Sequence, residues 1–99
     1  MKLWIDDVRP APKGYVWVQT VDGAIREICA SEDLHIVIEV IDTDHDAGLY
    51  ASCGGDYIKL LDWLEAIGRN YPIRIHSMNP VGVANMRAII QKNGWKEVR

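Results

Sequence analysis

Acidic, imidazole and hydroxyl side chains recur at the points where three apolar segments of this sequence end. Asp6 and Asp7 follow Leu-Trp-Ile, an Asp-His-Asp run occupies 44–46 after a long aliphatic segment, and His76 and Ser77 follow Ile-Arg-Ile. In an open α/β sheet the carboxyl ends of parallel strands open on one edge, and ligands bind in the crevice there. If the three segments are parallel strands, these side chains converge on one site.

The carboxylates predict a site for a hard divalent cation. Asp6 and Asp7 offer oxygen ligands, which suit Mg²⁺ because it keeps several waters and binds substrate phosphate oxygens. In an extended segment Asp44 and Asp46 share one direction and His45 takes the other, so both acids can face the cation. We therefore expect Mg²⁺ or Mn²⁺ at Asp6, Asp7, Asp44 and Asp46. The alternatives are a solvated turn at Asp6 and Asp7 and a structural imidazole at His45.

The segment after the third apolar strand combines a histidine with groups that bind anions. His76 and Ser77 precede Asn79, and a helix is expected to begin near Val81. Backbone amides at a helix start, together with the Ser77 and Asn79 side chains, can donate hydrogen bonds to a phosphate. Ser77 or Asn79 can equally cap the helix, with Pro80 in its first turn. The cap and the anion site are compatible.

The elements that must position these residues alternate between strand and helix. Hydrophobic patterning predicts strands at 2–5, 15–18, 36–41, 73–75 and 95–98, and helices after Thr20, at 56–67 and from 81 to a stop at Gly94. Two prolines and Gly14 exclude a helix between the first two strands. The order predicts a three-layer α/β sandwich with a mainly parallel sheet of four to five strands.

Length and charge restrict the class of protein further. The 99 residues, with a net charge of -3, predict a single domain over 1–99 without the basic surface of a protein that binds extended duplex DNA. No apolar run approaches the roughly 20 residues that cross a bilayer, and the first residues lack a signal-peptide pattern. We therefore expect no membrane partner and a cytoplasmic location.

The order of these residues resembles the receiver domain of two-component signalling. Acids close the first strand, an acid closes a central strand, a serine follows the next, and the helix entry at 20–25 is similar to that family's. Only eight residues, 7–14, separate the first two strands where a receiver has a helix, and a right-handed crossover needs about a dozen. We expect a proline-rich loop in place of that first helix. Lys96 also precedes Glu97, where receivers have a proline.

A closer resemblance is to the cyclic-phosphate-processing receiver domain, a divergent branch. Its pattern resembles Leu-Trp-Ile-Asp-Asp-Val-Arg-Pro-Ala-Pro at 3–12, Asp-His-Asp-Ala-Gly at 44–48 and His-Ser-Met-Asn-Pro-Val-Gly at 76–82, with Asn85 and Met86 after it. The resemblance covers most of the chain. It implies a receiver/flavodoxin-like fold and a role in processing nucleotide cyclic phosphates, linked to RNA repair or to conflict between phage and host.

Opening a cyclic phosphate with water requires a base, an acid and donors for the phosphoryl oxygens. Taken with the resemblance, this requirement gives His45 and His76 the acid and base roles in either order, because histidine serves in both near neutral pH. Asp44 and Asp46 complete the catalytic set, either by orienting the histidines or by binding the cation.

The phosphate itself is expected to contact Arg9, Ser77 and Asn79. The planar guanidinium of Arg9 pairs with phosphate oxygens, although a salt bridge to Asp6 or Asp7 is an equal alternative.

These observations predict a phosphohydrolase or phosphoesterase-like domain that processes cyclic or terminal phosphates of nucleotides or RNA ends with a divalent cation. One alternative is a signalling receiver that accepts a phosphoryl group on Asp42 or Asp44. Another is a binding domain without catalysis.

Overall fold

Five parallel strands and three α-helices make up the computed structural model, which describes residues 1–99. The strands are β1 (Lys2–Ile5), β2 (Tyr15–Val18), β3 (Val40–Thr43), β4 (Ile73–Ile75) and β5 (Glu97–Val98), and the helices are α1 (Val21–Asp33), α2 (Ile58–Ile67) and α3 (Pro80–Asn93). A 3₁₀ turn spans Gly48–Ser52. The strand order is β2-β1-β3-β4-β5, and all neighbours are parallel. The predicted receiver-like α/β fold is confirmed.

Side-chain caps and left-handed glycines set the limits of the helices. Thr20 and Asn79 precede α1 and α3, and each accepts a hydrogen bond from the backbone N–H three residues later, at 2.9 and 3.0 Å. Gly68 and Gly94 end α2 and α3 with φ of 68° and 66°, a conformation that glycine adopts without strain. None of the three helices combines the length and the apolar character needed to span a bilayer.

One hydrophobic core lies between the sheet and all three helices. Alternate residues of the central strands, such as Leu3, Ile5 and Ile41, are fully buried and pack with the helices; the helical members are Val21, Ala24, Ile28, Leu60, Leu61, Leu64, Met86 and Ile90. The connections from β2 to β3, from β3 to β4 and from β4 to β5 all run in the same direction across the sheet. Because such crossovers are right-handed, they place every helix on the same face.

The opposite face of the sheet is covered in part by the loop between β1 and β2. Trp4 is buried there and its indole N–H donates to the Arg9 carbonyl at 2.9 Å, whereas Trp17 on the outer strand is 42% exposed. The third layer therefore consists of this proline-rich loop and contains no helix. The nine residues between β1 and β2, 6–14, are too few for a helical crossover.

The third strand starts later than the aliphatic run at 36–41 predicts. The observed β3 is Val40–Thr43, and Ile36 and Val37 before it are 45% and 74% exposed. His35 takes a left-handed conformation (φ 56°), and the Ile36 N–H bonds back to the end of α1. The apolar residues at 36–37 thus belong to the exit from α1.

Candidate functional site

Three aspartates meet at the carboxyl edge of the sheet. Ile5 in β1 is in register with Thr43 in β3, so the residues that follow them, Asp6 and Asp44, lie side by side. The Asp44 N–H donates to the Ile5 carbonyl at 2.9 Å and fixes this arrangement. Carboxylate oxygens of Asp6, Asp7 and Asp44 lie within 4.8 Å of one another. We call these three residues the acid cluster.

Two neighbouring carboxyl groups of the acid cluster, those of Asp6 and Asp7, have pKa values that are shifted in opposite directions. Burial alone would raise the pKa of Asp6, but the backbone N–H groups of Arg9 and Val8 and the His76 imidazole hold it below its ordinary value. Burial, together with the charges of Asp6 and Asp44, raises the pKa of Asp7. Negative charges therefore lie close together in the acid cluster, and they repel one another.

The donor set of the acid cluster fits Mg²⁺ or Mn²⁺. All its ligand atoms are carboxylate oxygens, which hard divalent cations prefer. Arg9 pairs with Asp6 alone, and neither Asp7 nor Asp44 has a salt bridge. The absence of a side chain at Gly48 leaves space beside Asp7, because a Cβ there would collide with Asp7 Oδ2. Asp46 lies outside the cluster.

His76 is held between two buried carboxylates. Its Nδ1 lies 2.7 Å from Asp42 Oδ1, and its Nε2 lies 2.9 Å from Asp6 Oδ2. The side chain is 6% exposed, and its ring stacks on Trp4 with centroids 3.8 Å apart and planes 6° apart. Arg74 Nη1 contacts the other carboxylate oxygen of Asp42, Oδ2, at 3.1 Å. Carboxylates of this kind are tolerated in the interior because each one is paired and hydrogen-bonded.

His45 forms a second and more open pair. Its Nδ1 lies 2.8 Å from Asp46 Oδ1, and the side chain is 14% exposed. Its Nε2 has no protein partner, yet no polar side-chain atom of the structure is both buried and unpaired, so this nitrogen reaches solvent. The ring rests against Gly82 in α3, where a Cβ would lie 2.7 Å from Nδ1. A histidine oriented by a carboxylate and with one free nitrogen is suited to proton transfer.

The three residues predicted to contact phosphate lie around this edge and differ in exposure and in hydrogen bonding. Arg9 is 49% exposed and lies 3.8 Å from Asp6 Oδ2, so it has both the salt bridge and access to solvent. Ser77 Oγ accepts the Asn79 N–H at 3.1 Å and lines an open groove of about 450 Å³ along α3. Asn79 caps α3 and its Nδ2 contacts the Asp46 oxygens at 3.3 and 3.4 Å.

The segment 44–46 does not remain extended, and its two acids separate. The chain leaves the strand conformation after Thr43, so Asp44 joins the acid cluster while Asp46 turns toward His45 and Asn79. The shared direction expected for Asp44 and Asp46 is not observed. That expectation assumes a backbone that stays extended through residues 44–46, but the strand ends at Thr43.

Sequence reasoning did not assign Arg74 or pair Asp42 with His76. The sequence predicts Asp42 only as a possible phosphoacceptor, but it lies inside β3, 1% exposed, with Arg74 and His76 as partners. Asp44 occupies the end of the strand level with Asp6. The alternation of side chains along the strands indicates this pairing. Asp42, Arg74 and His76 alternate with core residues and therefore lie on the face opposite the helices.

The comparisons with known proteins agree with this architecture. The family model of the cyclic-phosphate processing receiver domain matches residues 1–92 of the chain. No curated protein and no solved structure gives a significant match. The matched range includes β1 to β4, α1, α2, all but the last residue of α3, the acid cluster and both histidine pairs. The chain therefore belongs to the family of cyclic-phosphate processing receiver domains.

Proposed function

We propose that this domain hydrolyses cyclic or terminal phosphates on nucleotides or RNA ends with the help of a divalent cation. The observation that carries the proposal is the His45–Asp46 pair, which leaves one imidazole nitrogen open at the same sheet edge as the acid cluster. Membership of a cyclic-phosphate processing family supports the choice of substrate.

The proposed reaction needs one proton to be removed and one to be supplied. A water oxygen forms a bond to phosphorus, one ester P–O bond of the ring breaks, and the product is a phosphomonoester with a free hydroxyl. His45 Nε2 takes the proton from the attacking water and returns it to the leaving oxygen, while Asp46 on Nδ1 holds the ring in orientation.

Asp6, Asp7 and Asp44 are the residues that would hold Mg²⁺ or Mn²⁺. When bound, the cation would offset the negative charge of the phosphate and polarise a phosphoryl oxygen. Without a counter-charge, an anionic substrate would be repelled by the acid cluster. Burial is the main cause of the raised pKa of Asp7, and the charges of Asp6 and Asp44 add to it.

Arg9 and Ser77 are the proposed donors to the phosphoryl oxygens. The Arg9 guanidinium is half exposed and its planar fork matches two phosphate oxygens. The Ser77 oxygen accepts a backbone N–H, which leaves its own hydroxyl proton available to donate. Asn79 is assigned a different part in the proposal, because its amide contacts Asp46 and supports the histidine pair.

The experiment is incubation with 2′,3′-cyclic nucleotides, with Mg²⁺, with Mn²⁺ and with a chelator, followed by chromatographic separation of the products. His45→Asn is expected to lower turnover by about 10²- to 10⁴-fold, the usual contribution of a general acid–base residue. The matched control is His35→Asn, a change at an exposed histidine that precedes β3, at the opposite end of the strand from His45, which should leave turnover unaltered. No turnover with any cation, or full turnover in His45→Asn, overturns the proposal.

The register of Asp44 supports a second candidate, a receiver that accepts a phosphoryl group. Asp44 ends β3 directly beside Asp6, whereas Asp42 is buried and paired. Under this candidate a small phosphodonor such as acetyl phosphate would phosphorylate Asp44, and Asp44→Asn would abolish the mass increase of the intact protein. Phosphorylation combined with no hydrolysis would favour signalling over catalysis.

A further inference from the structure

Arginine, histidine and aspartate side chains form a line from the face of the sheet opposite the helices to the acid cluster. Arg74 Nη1 lies 3.1 Å from Asp42 Oδ2, Asp42 Oδ1 lies 2.7 Å from His76 Nδ1, and His76 Nε2 lies 2.9 Å from Asp6 Oδ2. Asp42, His76 and Asp6 are almost fully buried, and Arg74 is 44% exposed. We call these four residues the buried ion chain.

The position of His76 in this chain leaves it unable to exchange a proton with a substrate. Each ring nitrogen already faces a carboxylate oxygen, and one ring face is covered by the Trp4 indole. A proton transfer to substrate would require one of these bonds to break inside an enclosed space.

The same contacts hold the Asp6 carboxylate in one orientation. Asp6 Oδ1 accepts the backbone N–H groups of Val8 and Arg9 at 2.9 and 2.8 Å, and Oδ2 faces His76. Rotation of the carboxylate about its Cβ–Cγ bond would break these bonds. Oδ1 accepts two hydrogen bonds, whereas Oδ2 faces His76 alone at hydrogen-bond distance and keeps a lone pair with which an oriented Asp6 can bind a cation.

We propose that His76 is a positioning residue that fixes Asp6 as a cation ligand, with Asp42 and Arg74 holding the imidazole from behind. The inference rests on the proposed function only for the presence of a cation at the acid cluster. Outer partners that orient a metal ligand typically contribute 10- to 100-fold, as an order of magnitude, to metal affinity. No side-chain donor contacts the carboxylate of Asp7 or Asp44, and Asp44 Oδ1 accepts the His45 backbone N–H at 2.7 Å.

The test compares Mn²⁺ affinity, measured by the loss of the free-ion electron paramagnetic resonance signal, in two complementary variants. The His76→Gln amide can reach the position of Nε2 and donate to Asp6, whereas the His76→Asn amide corresponds to Nδ1 and reaches Asp42 alone. His76→Asn is expected to weaken Mn²⁺ binding by about 10- to 100-fold, and His76→Gln to restore most of that loss.

Two further variants keep the test informative if His76→Asn fails to fold. Asp42→Asn retains an acceptor for the imidazole and removes the charge behind it, so a smaller loss of Mn²⁺ affinity is expected. Arg74→Gln at the exposed end is expected to have the smallest effect, about twofold to threefold. Arg26→Gln, at an exposed arginine on α1, is the matched control and should leave Mn²⁺ affinity unchanged.

Equal Mn²⁺ affinity in wild type, His76→Asn and Asp42→Asn would overturn the positioning role, and so would the absence of saturable Mn²⁺ binding by the wild type. Loss of turnover in His76→Gln with Mn²⁺ affinity intact would also overturn it, because His76 would then act on the substrate. If the expected order of affinities appears but cyclic nucleotides are not hydrolysed, the proposed function fails and the positioning role stands.

Discussion

His76 and His45 lie at the same edge of the sheet, but their surroundings give them opposite properties. His76 has a carboxylate on each ring nitrogen and an indole on one face, and it is 6% exposed. His45 has one carboxylate, on Nδ1, and its other nitrogen reaches solvent. Both histidines follow or lie near a strand end in the sequence, so that position alone does not define a catalytic group.

The difference teaches that the partners of an imidazole decide its use. A histidine with two buried carboxylates contributes to structure and to the orientation of those carboxylates. A histidine with one carboxylate and one open nitrogen is free to carry a proton. The buried ion chain and the His45–Asp46 pair therefore predict different outcomes for similar mutations.

The largest contrast is expected between Asp42→Ala and Asp46→Ala. Removing Asp42 leaves the almost fully buried His76 and the half-exposed Arg74 without their shared partner, and loss of one member of a buried ion pair costs about 3–5 kcal/mol of unfolding free energy. Asp46 is 58% exposed, and its removal should change stability by no more than about 0.5 kcal/mol. Urea unfolding followed by circular dichroism measures both. Similar losses in the two variants would contradict the contrast.

The next contrast concerns the packing of the His45 ring against Gly82 and is tested by Gly82→Ala. A Cβ at Gly82 would collide with the His45 ring, and displacement of a catalytic group by about 1 Å can cost up to 10²-fold in rate. We expect turnover of cyclic nucleotides to fall by about 10- to 100-fold while the protein stays folded.

The matched control for Gly82→Ala is Gly23→Ala. Gly23 occupies the same position in the first turn of α1 and donates its N–H to the cap Thr20, but an added Cβ there meets Thr20 and Val18 rather than the site. Turnover should be retained in this control. An equal loss of turnover in both variants would show that helix strain, not the His45 ring, is responsible.

The smallest expected effect is a gain of stability in Asp7→Asn. Burial and the charges of Asp6 and Asp44 raise the pKa of Asp7, so its ionised form destabilises the cation-free fold at neutral pH. Removing this charge should therefore raise the free energy of unfolding, and with it the Tm. Thermal unfolding at pH 7 in a chelator measures the gain.

The pH dependence of the Asp7→Asn gain has a defined sign. A carboxyl group whose folded pKa is raised is destabilising while it is ionised, and that cost disappears as the pH falls through the folded value and below the ordinary value of 3.8. The advantage of Asp7→Asn should therefore be present at pH 7 and vanish in acid. Asp6 acts in the opposite sense, since its lowered pKa stabilises the fold above 3.8 and this contribution is lost in more acidic solution.

Local signals in the sequence were sufficient to predict most of the fold. The Thr20 cap and the stop at Gly94 are encoded by residues next to the helices they limit, and the structure confirms both. The start of β3 depended on how α1 ends, where His35 adopts a left-handed conformation that apolar patterning does not register. The aliphatic residues at 36–37 therefore looked like a strand although they are exposed.

The acid cluster followed from topology, whereas the buried ion chain did not. Asp6, Asp7 and Asp44 directly follow adjacent parallel strands, so knowledge of the strand order is enough to bring them together. Asp42 became buried because Arg74 and His76, more than thirty residues later, neutralise it. Such pairing across strands is invisible to local pattern, and a lone aspartate inside a strand reads as an interruption.

The position of β1 gives the site a link to folding. β1 pairs with β2 and β3, both of which follow it in the chain, so the first strand is inserted between partners that are made later. Asp6 and Asp7 directly follow β1, and a partly folded chain without this strand has no acid cluster. Global folding and formation of the proposed cation site are therefore one cooperative event. A cation at a hundredfold its Kd would stabilise the whole domain by about 2.7 kcal/mol.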